Sequence, residues 1–125
     1  MAEPDTAAYR ILVVDDEPTV CKAIEMMLNY YGHEVQTAAD GAAALAQFDA
    51  GQFDLVITDY LMPQMKGDQL VTLMKQRRPE QRIIMATAFA EDFLSRGKPT
   101  GGVDYVLTKP FSLEELRAAI AKVMA

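Results

Sequence analysis

The sequence contains no tryptophan, one cysteine and one histidine among its 125 residues. A single thiol, Cys21, excludes an internal disulfide and a cysteine-based zinc knuckle. It sits in an apolar helical pattern, where a buried or half-buried thiol is expected. Basic residues are outnumbered, 12 to 18, and the net charge is −6. That balance argues against an electrostatic grip on nucleic acid or on an anionic membrane. No apolar run is long enough to span a bilayer, and no charged-then-apolar leader opens the chain. Repeats, linkers and low-complexity segments are also missing. These absences point to one soluble cytoplasmic domain over 9–125, preceded by a flexible tail over 1–8.

What is present is apolar material in short blocks. Half of the sequence is hydrophobic, enough for a sizeable core. ILVV (11–14), DLVIT (54–58), RIIMAT (82–87) and YVLT (105–108) are brief, β-branched and nearly continuous. Parallel strands covered on both faces read that way. HEVQTA (33–38) is more polar and suits an edge strand. Helical patterns alternate with these runs. Pro18 fits a first-turn position, and Val20, Ile24, Met27, Leu28 and Tyr31 follow on one face. Asp40 caps a small helix over 41–49, stopped by Gly51. A third helix runs from Gly67 to Arg77 and halts before Pro79. Ser112 and Glu115 form a capping box for the last one, whose buried face is Leu113, Leu116, Ile120 and Met124. Alternation five times over predicts a doubly wound α/β sandwich.

One unit is damaged. After RIIMAT the chain reads AEDFLSRGKPTGG, and a helix-interior proline costs about 3 kcal/mol and each glycine about 1 kcal/mol. The fourth helix is therefore expected to be short or irregular, a turn or two near 90–96 followed by loop.

The first strand ends in three acids, Asp15, Asp16 and Glu17. Adjacent carboxylates repel, by up to about 4 kcal/mol at 4 Å and an effective dielectric of 20. In doubly wound sheets, chemistry gathers beyond the carboxyl ends of the strands. Those ends deliver Asp15 and Asp16, then Asp59, Thr87 and Lys109. Clustered carboxylates suit a hard divalent cation, and few protein ligands leave room for water, which favours Mg²⁺. A metal turns mutual repulsion into ligation. A carboxylate, a lysine and a hydroxyl beside such a metal form a phosphoryl-handling set. The carboxylate can act as nucleophile, and the cation, Lys109, and Thr87 O–H with backbone N–H can each take one phosphoryl oxygen.

At this point the sequence resembles the receiver domain of two-component response regulators. The matching stretches are VVDDEP (13–18), ITDYLMPQMKG (57–67), MATA (85–88) and TKPF (108–111), in order over nearly the whole chain. The resemblance implies a five-stranded parallel, flavodoxin-like sheet of order 2-1-3-4-5. It implies Asp59 as phosphoacceptor, and Asp16 and Asp59 as direct Mg²⁺ ligands with Asp15 acting mostly through water. The main-chain carbonyl of Leu61 completes that set, and Mn²⁺ can substitute. Thr87 and Lys109 would sense the phosphate, with a cis peptide at Lys109–Pro110. The implied donor is a histidine kinase or histidine phosphotransfer domain, the output a phosphorylation-dependent contact with an unidentified protein, and the chain a monomer or weak dimer. Beyond self-catalysed aspartyl phosphorylation and dephosphorylation, no enzyme activity is implied.

Two features depart from the family pattern. The switch position three residues before the lysine, usually aromatic, holds Val106. The aromatic is Tyr105, which strand alternation sends to the opposite face. Phosphorylation is therefore expected to order residues 90–102 rather than flip a ring. Leu61 and Phe89, two residues past Asp59 and Thr87, would flank the phosphoryl group and shield it from water. His33 reads as an ordinary loop residue, and Arg77, Arg78 and Arg82 as a solvated helix-end cluster. The methionines read as core filler, with Met62 and Met65 partly exposed.

Two other classes fit less well. A magnesium phosphatase with an aspartyl nucleophile, dehalogenase-like, would place D-x-D after the first strand, where this sequence has D-D. A flavin-binding module would want a hydroxyl-rich phosphate loop there. Within the receiver reading, no DNA-binding module is expected inside these 125 residues, because the last helix runs to their end. The sequence suits a single-domain regulator, a phosphorelay shuttle, or the receiver of a longer DNA-binding regulator or hybrid kinase.

Overall fold

A computed structural model describes residues 7–90 and 102–125. The strands are β1 (Arg10–Val14), β2 (Glu34–Ala38), β3 (Leu55–Thr58), β4 (Arg82–Thr87) and β5 (Tyr105–Thr108). All pairings are parallel, in the order β2-β1-β3-β4-β5. Among the described residues the helices are α1 (Pro18–Tyr30), α2 (Gly41–Ala50), α3 (Gly67–Arg77) and α4 (Leu113–Met124). The short helix expected over 90–96 and the loop after it fall on residues 91–101, outside the described residues, as do residues 1–6 of the expected tail.

Strand alternation divides the core in two. Ile11, Val13, Leu55, Ile57, Ile84 and Ala86 pack on Cys21, Ile24 and Leu28 of α1 and Leu116 and Ile120 of α4. Leu12, Val14, Val56, Ile83 and Met85 face the other way, onto Ala44 and Phe48 of α2 and Leu70 and Met74 of α3. Both faces of the central strands are therefore dry, which is why their sequences are continuous apolar runs. β2, at the edge, keeps only Ala38 buried.

Local chemistry sets the helix starts. Asp40 Oδ1 accepts from Ala43 N at 2.7 Å. Ser112 Oγ accepts from Glu115 N at 3.0 Å while Glu115 Oε1 accepts from Ser112 N at 2.7 Å, so two orphan donors are satisfied reciprocally.

Three expectations need correction. His33 does lie in a loop, but it is 7 % exposed. Its Nδ1 accepts from Tyr9 N at 3.1 Å and its ring stacks on Tyr9 at 5.5 Å. The three arginines are anchored to main-chain carbonyls or acids and are not a free cluster. Arg78 Nη2 donates to Phe48 O and Gly51 O at 3.0 and 2.6 Å, with its guanidinium over the Phe48 ring. Arg77 pairs with Asp49 at 3.0 Å, and Arg82 donates to Val123 O. Met62 is buried and Met65 half-exposed, while Met26, 62 % exposed, is not core filler.

Burial pushes the His33 imidazole below its ordinary pKa. The unfolded chain therefore takes up a proton at a higher pH than the folded one. The stability that neutral His33 contributes is complete above about 6.5 and is lost as pH falls below that value. His33→Gln should flatten the decline in urea-unfolding free energy between neutral pH and pH 5. Equal slopes in parent and variant would contradict this.

Candidate functional site at the strand carboxyl ends

The strand order reverses between β1 and β3, and their register pairs Val14 with Thr58. The ladder runs one residue further: Asp59 N donates to Val14 O at 2.9 Å and Asp15 N to Ala38 O at 3.1 Å. At the next position out, Lys109 N donates to Thr87 O at 3.0 Å. The sheet itself thus fixes where Asp15, Asp59 and Lys109 emerge.

Lys109 Nζ lies 2.6 Å from Asp15 Oδ2 and 3.6 Å from Asp59 Oδ2. The other oxygens are held by main chain: Asp15 Oδ1 accepts from Glu17 N at 3.0 Å, and Asp59 Oδ1 from Tyr60 N at 2.7 Å. Carboxylate oxygens of Asp15, Asp16 and Asp59 lie within 4.8 Å of one another. Glu17, the third acid of the opening run, is exposed and outside this group. Thr87 is fully buried, and its Oγ1 accepts from Phe89 N at 3.0 Å. Lys109–Pro110 is a cis peptide, as expected.

Burial lifts the Asp59 carboxyl above the usual carboxylate range, and Asp15 adds to the effect. Lys109, the Tyr60 N–H and the Thr87 hydroxyl act in the opposite direction. Three carboxylates against one ammonium leave two negative charges uncompensated (3 − 1 = 2), in a pocket where Asp15 is only 2 % exposed. Hard oxygen donors with a charge deficit of two fit a divalent cation such as Mg²⁺.

Gly67 closes the site from below. Its N–H donates to Tyr60 O at 2.6 Å, and a Cβ there would lie 2.1 Å from Asp59 O. Leu61 and Phe89 are 36 % and 49 % exposed, bulky and apolar as expected beside Asp59 and Thr87. Tyr105 packs with the α1 and α4 core and Val106 with the α2 and α3 core, so the two do occupy opposite faces. Sequence reasoning missed a groove of about 370 Å³ beside the site. It runs along Val20, Ala23 and Met27 of α1 to Ala88, Lys109 and Phe111. On its α1 side Val20 and Met27 are half-buried positions of the predicted apolar face, whereas Ala23 is exposed and lies off that face.

Residues 11–121 match the response regulator receiver domain family. The chain is 36 % identical over 118 residues to the probable transcriptional regulatory protein TcrX of Mycobacterium tuberculosis, covering 93 % of this chain and 50 % of the relative. It is 37 % identical over 121 residues to the transcriptional regulatory protein TcrA of the same organism, covering 91 % and 45 %. The chain thus spans about half the length of these curated relatives. Among solved structures, the chemotaxis protein CheY4 of Vibrio cholerae superposes with a TM-score of 0.86 at 32 % identity, covering 94 % of this chain and 99 % of that one. The response regulator TrrA of Thermotoga maritima, solved with Mg²⁺ and BeF, gives 0.84 at 32 %, covering 91 % and 97 %. The chain belongs to the response regulator receiver domain family. Among its described residues, no helix is long and apolar enough to cross a membrane.

Proposed function

We propose that this domain accepts a phosphoryl group on Asp59 from a phosphohistidine donor and reports it through a protein contact. The carrying observation is Asp59 itself: a mostly buried carboxylate at the switch point of the sheet, facing Lys109 at 3.6 Å within a three-carboxylate cluster. An Asp59 oxygen attacks phosphorus, the P–N bond to the donor imidazole breaks, and its electron pair leaves with the ring. Lys109 and Thr87 bind two phosphoryl oxygens as charge shifts onto them. Asp16, Asp59 and the Leu61 carbonyl would hold Mg²⁺ or Mn²⁺ directly. Asp15 would act through water, in keeping with its 2.6 Å pairing to Lys109. Such a cation, when bound, neutralises charge on the transferred group. Self-catalysed gain and loss of the phosphoryl group are the only reactions assigned to the chain.

Lys109 links Asp59 to the apolar groove along α1, which gives a protein donor a surface to dock on beside the site. A histidine kinase or phosphotransfer domain presenting its histidine on a helix with an apolar face would cover that groove. Intact-mass measurement tests both steps. The parent should gain one phosphoryl group from either a phosphohistidine protein or acetyl phosphate, and only with Mg²⁺. Asp59→Asn should gain none. Ala23→Asp, in the groove wall, should lose transfer from the protein and keep it from acetyl phosphate. Labelling of Asp59→Asn, or labelling in excess chelator, would overturn the assignment.

Leu61 offers no polar group to orient an attacking water, and it partly shields the site. Leu61→Asn should therefore shorten the lifetime of the phosphoryl group, followed as loss of the mass increment. A lifetime unchanged or lengthened would refute the shielding role.

A further inference from the structure

We propose that Phe89 is the side chain through which this domain carries the state of Asp59 to its surface, a role that rests on Asp59 being the phosphoacceptor. The link is a single hydrogen bond. Thr87 Oγ1 accepts from Phe89 N at 3.0 Å, so the hydroxyl's one proton remains free to donate toward Asp59. Thr87 is fully buried at the end of β4, whereas Phe89, two residues on, holds its ring about half in solvent. A buried hydroxyl and an exposed ring are thus joined by one bond.

A phosphoryl group on Asp59 adds charge and strong acceptor oxygens beside Thr87. Drawing the hydroxyl toward them moves the acceptor of the Phe89 N–H. The amide follows or loses its partner, and in both cases the backbone at 88–90 resets. A ring that follows Thr87 inward leaves water, which favours the inward position.

The strand beside Thr87 has no ring suited to this task. Tyr105 and Val106 pair in register with Ile84 and Met85, three and two residues before Thr87. Tyr105 packs in the α1 and α4 core, with Lys122 Nζ 5.9 Å from its ring centroid. Val106 is half-buried on the opposite face and has one stiff χ1 bond. Among the described residues, Phe89 is the exposed ring bonded directly to Thr87.

The chain has no tryptophan, so Phe89→Trp in the full 125 residues creates a single reporter. Mg²⁺ with beryllofluoride should shift its emission to the blue and lower acrylamide quenching by about twofold as a half-exposed ring becomes buried. Loading is read separately by fluorine NMR of the bound beryllofluoride. Loading without an emission change overturns the role of Phe89 and leaves the Asp59 reading intact. Absence of loading in the parent overturns both. In the Phe89→Trp background, Thr87→Ser should keep the response and Thr87→Ala should load without it; a full response in loaded Thr87→Ala refutes the link. In the unsubstituted chain hydrogen exchange at the Phe89 amide should change on loading, slowing if the amide follows the hydroxyl and quickening if it loses its partner. Unchanged exchange there also counts against the proposal.

Discussion

Gly67→Ala is expected to destabilise the domain by about 3 kcal/mol and to cripple phosphoryl uptake. The added Cβ would lie 2.1 Å from Asp59 O and 2.9 Å from Tyr60 Cα, both main-chain atoms. Neither can retreat freely. Asp59 N is bound to Val14 O in the extended ladder, and Tyr60 O accepts from Gly67 N itself. Relief must come from moving the start of α3 or the segment that aims the Asp59 carboxylate. Gly41 is the internal control. A Cβ there would meet Met65 Sδ at 2.6 Å, with Met65 Cβ and Cγ at 3.1 and 3.2 Å, all atoms of one flexible side chain and none of the main chain, so Gly41→Ala should cost about 1 kcal/mol. Urea unfolding of the two variants separates the cases. A Gly67→Ala domain as stable as Gly41→Ala would mean that the turn after β3 does not press on Asp59.

The second large effect is expected at Lys109. Its ammonium is the only cation within salt-bridge distance of Asp15 and Asp59 among the described residues. Lys109→Ala leaves Asp15, 2 % exposed, as an uncompensated buried carboxylate beside two others. Breaking one side of such a pair typically costs 3–5 kcal/mol; partial exposure of Lys109 reduces this to about 2–4 kcal/mol. Mg²⁺ should restore part of the loss, because it supplies the missing positive charge. Adding Asp15→Asn to Lys109→Ala should recover more than half of it, since the two residues share one interaction. Strict additivity in that double-mutant cycle would show that the 2.6 Å contact carries no coupling. Phosphoryl uptake should be lost in both variants carrying Lys109→Ala.

The sheet was legible because its physics is local and redundant. Ile11 to Val14 and Ile83 to Ala86 are dry on both faces, and their shortness and β-branched content separate them from buried helix. The helix starts at Asp40 and Ser112 were legible from side chains that bond three residues ahead. The site could be assembled because parallel strands all deliver their ends to one edge, so Asp15, Asp16, Asp59, Thr87 and Lys109 needed only the order of the strands. What escaped depends on contacts across the chain. His33 gives no sign in its own neighbourhood that Tyr9, 24 residues away, donates to it. Arg78 looks like a helix-end cation until Phe48 and Gly51 are brought beneath it. The preference of Lys109 for Asp15 over Asp59 is a matter of one ångström, beyond the resolution of any spacing rule.

The proposal that Asp59 carries the phosphoryl group is tested most directly by trapping the acyl phosphate. Borohydride reduces an aspartyl phosphate at its carbonyl and releases phosphate, leaving homoserine, whereas an ordinary carboxylate is untouched. Protein exposed to acetyl phosphate and Mg²⁺, reduced and digested, should yield homoserine at position 59 by peptide mass spectrometry, with Asp15 and Asp16 unchanged. Homoserine at position 15 or 16, or a phosphoryl group retained on a peptide lacking position 59, would contradict it.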